Sequence, residues 1–467
     1  MSFTLLLTVV ALRAQETWSL EQCIRYARQN SLSVRQAQNT IQLNQLTLKQ
    51  NQYNRIPTLN ASVSYGYNFG RTIDPTTNSF INQENGSSQL QVSSGVTLFG
   101  GNQINNSIKQ SKIDVQASEL NAASTANDLG LNVATAYLNI LLGEEQLATA
   151  RQQLALSQTQ LEQTNRLIQA GSRPEVDRYD ILAQIARNEQ SIIQAENTIA
   201  NAYLNLKQLM NVDQNLDIRI QRPEVNVPAL DPDQFSLNEI YTTALGSQPQ
   251  IRANDLNIES AQMGVAVARG ALLPTVSLFG NLSSFYSTQN KRVTGYNDIR
   301  NPETVFINGQ PVVVEFPGQI PLFDNNPYFD QINQNFGQGI GVSLNIPILN
   351  NFRSRLGVER AQVTVLNAEV TSQQTRQQLK TNIQSAIANA RAAKRSYEAA
   401  QRSVEANQIA FQNAQRRFDL GAVNSLEYTT ARNNLDQAQI SLIQAKYQYV
   451  FNVKQVEFYL GQELKLD

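Results

Sequence analysis

The chain contains one long stretch twice. Residues 100–212, shifted by 250 positions, lie over 350–462 without a gap, so that Gly171 falls on Gly421, Arg166 on Arg416, Ala136 on Ala386 and Ala150 on Ala400. In the first copy Val133, Ile140, Leu147, Leu154, Leu161 and Ile168 recur every seven residues. The same seam in the second copy reads Ile383, Ala390, Tyr397, Val404, Phe411 and Phe418. A second seam, four residues earlier, is small: Ala136, Gly143, Ala150, Ser157 and Thr164 against Ala386, Ala393, Ala400, Asn407 and Ala414. A strict seven-residue apolar period belongs to helices that supercoil left-handedly about partners. Small residues beside that seam let a neighbouring helix approach closely.

No proline interrupts residues 102–170, so this stretch can form one helix of roughly 100 Å, at about 1.5 Å per residue. Glycine supplies a left-handed helix end, and Gly171 and Gly421 are placed to end the two long helices. Ser172 with Glu175, and Asn424 with Glu427, have the spacing of a capping box that opens a new helix. The returning helices keep sevens at Ile185, Ile192, Ile199 and Leu206, and at Leu435, Leu442, Tyr449 and Val456. Each copy therefore predicts a long antiparallel helical hairpin, over residues 100–210 and 350–460.

The run from Phe3 to Leu12, ending in Ala14-Gln15, is too short to span a bilayer and reads as a signal peptide over residues 1–14. The single cysteine, Cys23, falls within a helical pattern and reads as a packing residue. With no histidine among 467 residues, metal and Ser-His-Asp chemistry lose their commonest participant. No catalytic constellation stands out, and neither an enzymatic role nor a cofactor is expected. The 37 basic and 38 acidic side chains leave no basic excess for nucleic acid. About 100 Asn and Gln residues suit helices whose second face meets water without a strong field.

A capping box at Ser19 and Gln22 opens a helical stretch over 19–54, with a break near Asn30. It recurs 217 positions later: Ser236 with Glu239 opens a helix over 236–272, and Pro57 lands on Pro274. After each proline the period changes from helical to two. Strands are predicted over 57–69, 88–99, 274–286 and 336–347, each with one apolar and one polar face. The polar faces carry Asn60, Ser62 and Ser64, then Gln89 and Gln91, then Ser277 and Asn281, then Ser343. Strands of about 10 residues patterned this way match transmembrane β-barrels, whose lumen takes the polar face. The segments 70–87 and 287–335, rich in Asn, Pro, Gly and aromatics, are expected to be loops. Residues 211–234, with Pro223, Pro228 and Pro232, are expected to link a first repeat (15–210) to a second (235–467).

Four strands cannot close a barrel, and open edges are not tolerated in lipid. Two copies would give eight strands and three would give twelve. An eight-stranded interior is filled by side chains, so a pore favours three. The fold class expected is mainly α with transmembrane β, internally duplicated, with coiled-coil hairpins beside four strands of a shared 12-stranded barrel.

The duplicated plan, the strand pairs after Pro57 and Pro274, and the turns LIQAGSRPEVD and FDLGAVNSLEY resemble the TolC-like outer-membrane efflux protein family across nearly the whole chain after residue 15. The resemblance implies a homotrimer with a β-barrel in outer-membrane lipid and a helical tunnel (an α-barrel) in the periplasm of a Gram-negative bacterium. It implies a passive exit duct for an inner-membrane RND or ABC pump, docked through a periplasmic adaptor at the helical turns. The docking residues would be Gly171, Ser172, Arg173 and Pro174, with Gly421, Ala422, Val423 and Asn424. The family's acidic constriction falls on Asp177 and Asp180 in the first copy and on Glu427 and Thr430 in the second, where one carboxylate is lost. Arg417 matches a basic position before the family's turn, while Leu167 departs from it. Acids in a first helical turn also offset the helix dipole, so both readings of these carboxylates stand on sequence. A coiled-coil structural or adhesive outer-membrane protein is the alternative, although it would not need two matched pairs of amphipathic strands.

Overall fold

The computed structural model describes residues 17–73, 78–82, 84–223, 225–227 and 230–465. The signal peptide expected over residues 1–14 lies outside them. In chain order the elements are β1 (Thr17–Trp18), α1 (Leu20–Asn30), α2 (Leu32–Tyr53), β2 (Thr58–Asn68), β3 (Arg71–Ile73), β4 (Phe80–Asn82), β5 (Asn85–Gly100), α3 (Gln103–Gln169), α4 (Val176–Met210) and β6 (Arg219–Ile220). There follow α5 (Leu237–Ser247), α6 (Pro249–Gly270), β7 (Thr275–Ser287), β8 (Lys291–Ile307), β9 (Gln310–Asn325), α7 (Tyr328–Gln334), β10 (Gly337–Asn345), α8 (Arg353–Asp419) and α9 (Ser425–Tyr459). The chain divides into a helical unit, from the described residues of 1–46, 112–261 and 364–467, and a strand unit, 47–111 and 262–363.

In the helical unit the duplication is visible in length and in packing. Helices α3 and α8 each have 67 residues, and α4 and α9 each have 35. Val133 and Ile383, equivalent in the two copies, are fully buried, as are Ile140 and Ala390. Cys23 and Ala27 of α1 join Val133, Ala136 and Ile140 in one core, while Ile240 and Ala244 of α5 join Ile383, Ala386 and Ala390 in the other. Cys23 thus holds the place Ile240 holds 217 residues later, and burial pushes its thiol up to about 12. Each such isoleucine or leucine contributes about 2 kcal/mol by leaving water. Gly143 shows why the second seam is small: a Cβ there would come within 2.8 Å of Ile199 Cγ1 on α4.

Of the four expected capping boxes one forms in full, and at Asn424 only the half that accepts from the Glu427 N–H is present. Ser19 and Gln22 make theirs in full, but Ser236 begins α5 without a side-chain cap. Ser172 caps nothing, because Pro174 delays α4 until Val176. The segment expected as a linker is tied down. Trp18 of β1 pairs with Ile220 of β6, and Lys394 of α8 donates to Asp231 at 2.7 Å and Asp233 at 3.0 Å. Arg391 adds bonds to the carbonyls of Pro232 and Phe235, both at 3.0 Å.

The strand unit holds an antiparallel sheet ordered β10-β7-β5-β2. Its register follows from the two-residue period. Asn60 sits opposite Ser93, which sits opposite Asn281, which sits opposite Gly339. Val63 sits opposite Leu90, and Val92 opposite Leu282. Polar and apolar rows therefore stay on opposite faces across all four strands. Phe279 and Phe285 depart from this on the polar face; Phe279 lies over Gly341, whose added Cβ would come within 2.6 Å of the ring.

The segment 287–335 is a correction. Instead of a loop it forms the ribbon β8–β9 and the short helix α7. Its prolines explain how. Pro311, Pro317 and Pro321 lie at odd positions of β9, opposite Phe306, Arg300 and Tyr296, and Pro302 of β8 lies opposite Glu315 in the same unbroken register. N–H groups alternate sides along a strand, so all four prolines withhold donors from the outer edges only. That placement is tolerated where a strand has no further neighbour. Asn308 and Gly309, with φ of 50° and 78°, make the two-residue turn, so the Asn-Gly dipeptide was the readable hairpin signal. The other expected loop, 70–87, contains the small β3–β4 hairpin and the start of β5 at Asn85.

Candidate functional site at the helical turns

Both long helices end in the same closing turn. The Gly171 N–H donates to Ile168 O at 2.9 Å and the Ser172 N–H to Leu167 O at 2.8 Å; Gly421 and Ala422 repeat this with Phe418 and Arg417. The glycines sit at φ 71° and 72°, which side-chain-bearing residues avoid. A Cβ at either would meet nothing within 4 Å, so the requirement is conformational rather than steric. Gly171, Ser172 and Pro174 are exposed, as are Gly421, Ala422 and Asn424, while Arg173 and Val423 are half-buried. Asn424 caps α9, its Oδ1 accepting from the Glu427 N–H at 3.0 Å.

The two turns are joined through Arg173. Its guanidinium lies 3.6 Å from the centre of the Phe418 ring and donates to the Phe418 carbonyl. It also reaches Asp177 Oδ2 at 3.4 Å. A cation from the first turn thereby meets the carbonyl end of the second copy's long helix, where the helix dipole favours positive charge. Phe418 in turn stacks on Tyr428, with ring centres 4.8 Å apart. Beneath them Arg432 and Asp436 pair at 3.1 Å, and burial pushes the Asp436 carboxyl up against the pull of that guanidinium. The first hairpin carries a buried amide network of its own: Asn188 Nδ2 donates to Ser157 at 2.9 Å and Gln184 Nε2 to Asn188 at 3.0 Å. Between the hairpins Gln152, Gln160, Phe411 and Tyr428 help to line a cavity of about 410 Å³.

The expected constriction residues separate into different roles. Asp177 is only 4% exposed within the chain, and its carboxylate pairs with Arg173. Glu427 is exposed but pairs with Arg417 at 2.7 Å, and Thr430 is exposed. Asp180 Oδ2 accepts from the Ser425 hydroxyl at 2.5 Å, a bond that crosses from the first hairpin to the second. The Arg173–Phe418 contact was missed on sequence, since Arg173 and Asp177 show only an ordinary spacing of four. On the sheet, Asn60, Ser62, Ser64, Gln89, Gln91, Ser277, Asn281 and Ser343 all fall on one face.

A family model described as outer membrane efflux protein matches residues 23–212 and 240–462. The outer membrane protein TolC of Vibrio cholerae is 21% identical to this chain over 350 residues, which is 73% of this chain and 69% of that one. Two solved structures are similar at 18% identity and a TM-score of 0.74. They are CusC, where 95% of this chain covers 92% of that one, and the CmeC outer membrane channel of Campylobacter jejuni, where 95% covers 85%.

Proposed function

The chain belongs to the outer membrane efflux protein family, and from that premise we propose that three copies assemble into the exit duct of a tripartite pump. The observation that carries this reading is the four-stranded sheet with two unpaired edges, β2 and β10. In lipid every backbone donor and acceptor must be paired, so β2 of one copy bonds β10 of the next, and three copies close twelve strands. The polar face bearing Asn60, Ser62, Gln91 and Asn281 then lines the lumen, while Val63, Leu90, Val92 and Leu282 meet lipid. Among the described residues no helix is long and apolar enough to cross a membrane, which leaves the strands as the spanning element.

The turns at Gly171–Pro174 and Gly421–Asn424 are the docking surface for a periplasmic adaptor, which connects the duct to an inner-membrane RND or ABC pump. The duct itself is passive, carrying substrate without transforming it. With Asp177 paired inside the chain and Glu427 paired to Arg417, Asp180 is the one carboxylate of the expected constriction without an arginine partner among the described residues, and it sets the field there. Native mass spectrometry in mild detergent, joined to planar-bilayer recording, tests the proposal. A trimer with steady conductance is expected. Monomers would refute the closure, and a trimer without conductance would point to the adhesive reading.

A further inference from the structure

The β8–β9 ribbon is too long and too apolar on one side to stand alone in water. Its two faces differ. One carries the Arg300–Glu315 ion pair at 3.2 Å and the Gln319–Asp298 hydrogen bond at 2.8 Å. The other, read from the same register, is the more aliphatic: it carries Ile299, Val305, Val312, Val314, Phe316 and Ile320 beside Asn297, Asn301 and Glu303, whereas the first adds Tyr296, Phe306 and Val313 to its prolines and charges. On it Val312, Phe316 and Ile320 remain 40–51% exposed. An isolated two-stranded ribbon is at best marginally stable in water, and an apolar strip of this length marks a surface that is covered in the assembled protein.

We infer that the apolar face of this ribbon is covered by the ribbons of the other copies, forming a second interface between copies outside the barrel. This rests on the trimeric reading above. Three observations choose that occupant. The ribbon's outer edges are blocked by Pro302, Pro311, Pro317 and Pro321, so a partner must come onto the face and cannot add as another strand. The ribbon follows β7 after three residues, and the Asn326 N–H closes its base on Asn290 O. It therefore continues directly from a sheet that copies of the same chain must complete. Its reach also suffices. Sixteen strand residues extend roughly 50 Å, whereas a twelve-stranded barrel has a radius of roughly 12 Å at ordinary strand spacing and tilt. Three ribbons rooted on one barrel can meet.

The test places single cysteines on the two faces, Ile320→Cys or Phe316→Cys against Gln319→Cys, in the otherwise unchanged protein. Cys23 is buried, so the added thiol is the reactive one. Under mild oxidation in native membranes, Ile320→Cys and Phe316→Cys should run mostly as disulfide-linked dimers, while Gln319→Cys stays monomeric on denaturing gels. The inference is overturned if neither apolar-face variant cross-links while native mass spectrometry still shows the trimer. It is also overturned if those thiols are shielded from a soluble maleimide only while lipid is present, since lipid would then be the cover. A protein that is not trimeric would instead remove the reading on which the inference rests.

Discussion

Arg173 joins two halves of a duplicated chain that have no sequence of their own for doing so. Its partners are a carbonyl, a ring and a carboxylate, all of low exposure, so removing it strands Asp177 as a buried unpaired charge. Arg173→Ala should destabilise the turn region by about 3 kcal/mol, in line with broken buried pairs. The measurement is hydrogen exchange at residues 418–425, which should quicken while exchange around Val133 and Ile383 is unchanged. Protection equal to the wild type would show the contact to be idle. Two glycines separate conformational from steric demands. Gly421→Val imposes a left-handed conformation on a branched residue in open space and should cost about 1–2 kcal/mol, felt only at the turn. Gly143→Ala forces a methyl onto Ile199 and should cost about 1–3 kcal/mol, felt along the hairpin as a lower midpoint of thermal unfolding.

At the scale of elements, the segment Asp231–Phe235 is fastened to α8 by charge as well as by backbone. The hydrogen bond from Lys394, then that from the Asp233 N–H, holds the Asp231 carboxyl below the usual range. A carboxyl whose folded pKa is depressed lends stability above its unfolded pKa of about 3.9. That stability is lost as the pH falls through the lower folded value. Limited proteolysis within this segment should therefore speed up on acidification below about pH 4, and Asp231→Asn should remove that dependence. An unchanged profile in the variant would assign the effect elsewhere. The helices were legible because their signals are repeated: a seven-residue period from Val133 to Ile168, and again from Ile383 to Phe418, leaves little freedom, and glycine marks the end of each long helix. The sheet was legible because each strand alternates over most of its length. The ribbon was not, because closely spaced prolines read as loop until their placement on the outer edges of the two strands is known. The turn contacts were not, because Arg173 and Phe418 are 245 residues apart and meet only once both hairpins are folded. The burial of Asp177 was hidden for the same reason.

The chain as a whole is an outer-membrane protein of a family of channels, and its selectivity should follow which carboxylates its own arginines leave uncompensated. Carboxylate rings favour cations, so Asp180→Asn should shift the reversal potential in a salt gradient toward zero. Asp177→Asn should leave that potential unchanged while loosening the turn. The opposite order would return Asp177 to the lumen. In the proposed assembly the polar face of one sheet is the wall of a conduit shared by three copies. Single-channel recording of Ser62→Cys and Val63→Cys, neighbours on opposite faces of β2, tests it with a water-soluble charged thiol reagent. The Ser62→Cys channel should lose current in three discrete steps, one per copy, and the Val63→Cys channel should not respond. Equal responses from both variants, or none from Ser62→Cys, would contradict the assignment of lumen and lipid faces, and any number of steps other than three would contradict the trimer.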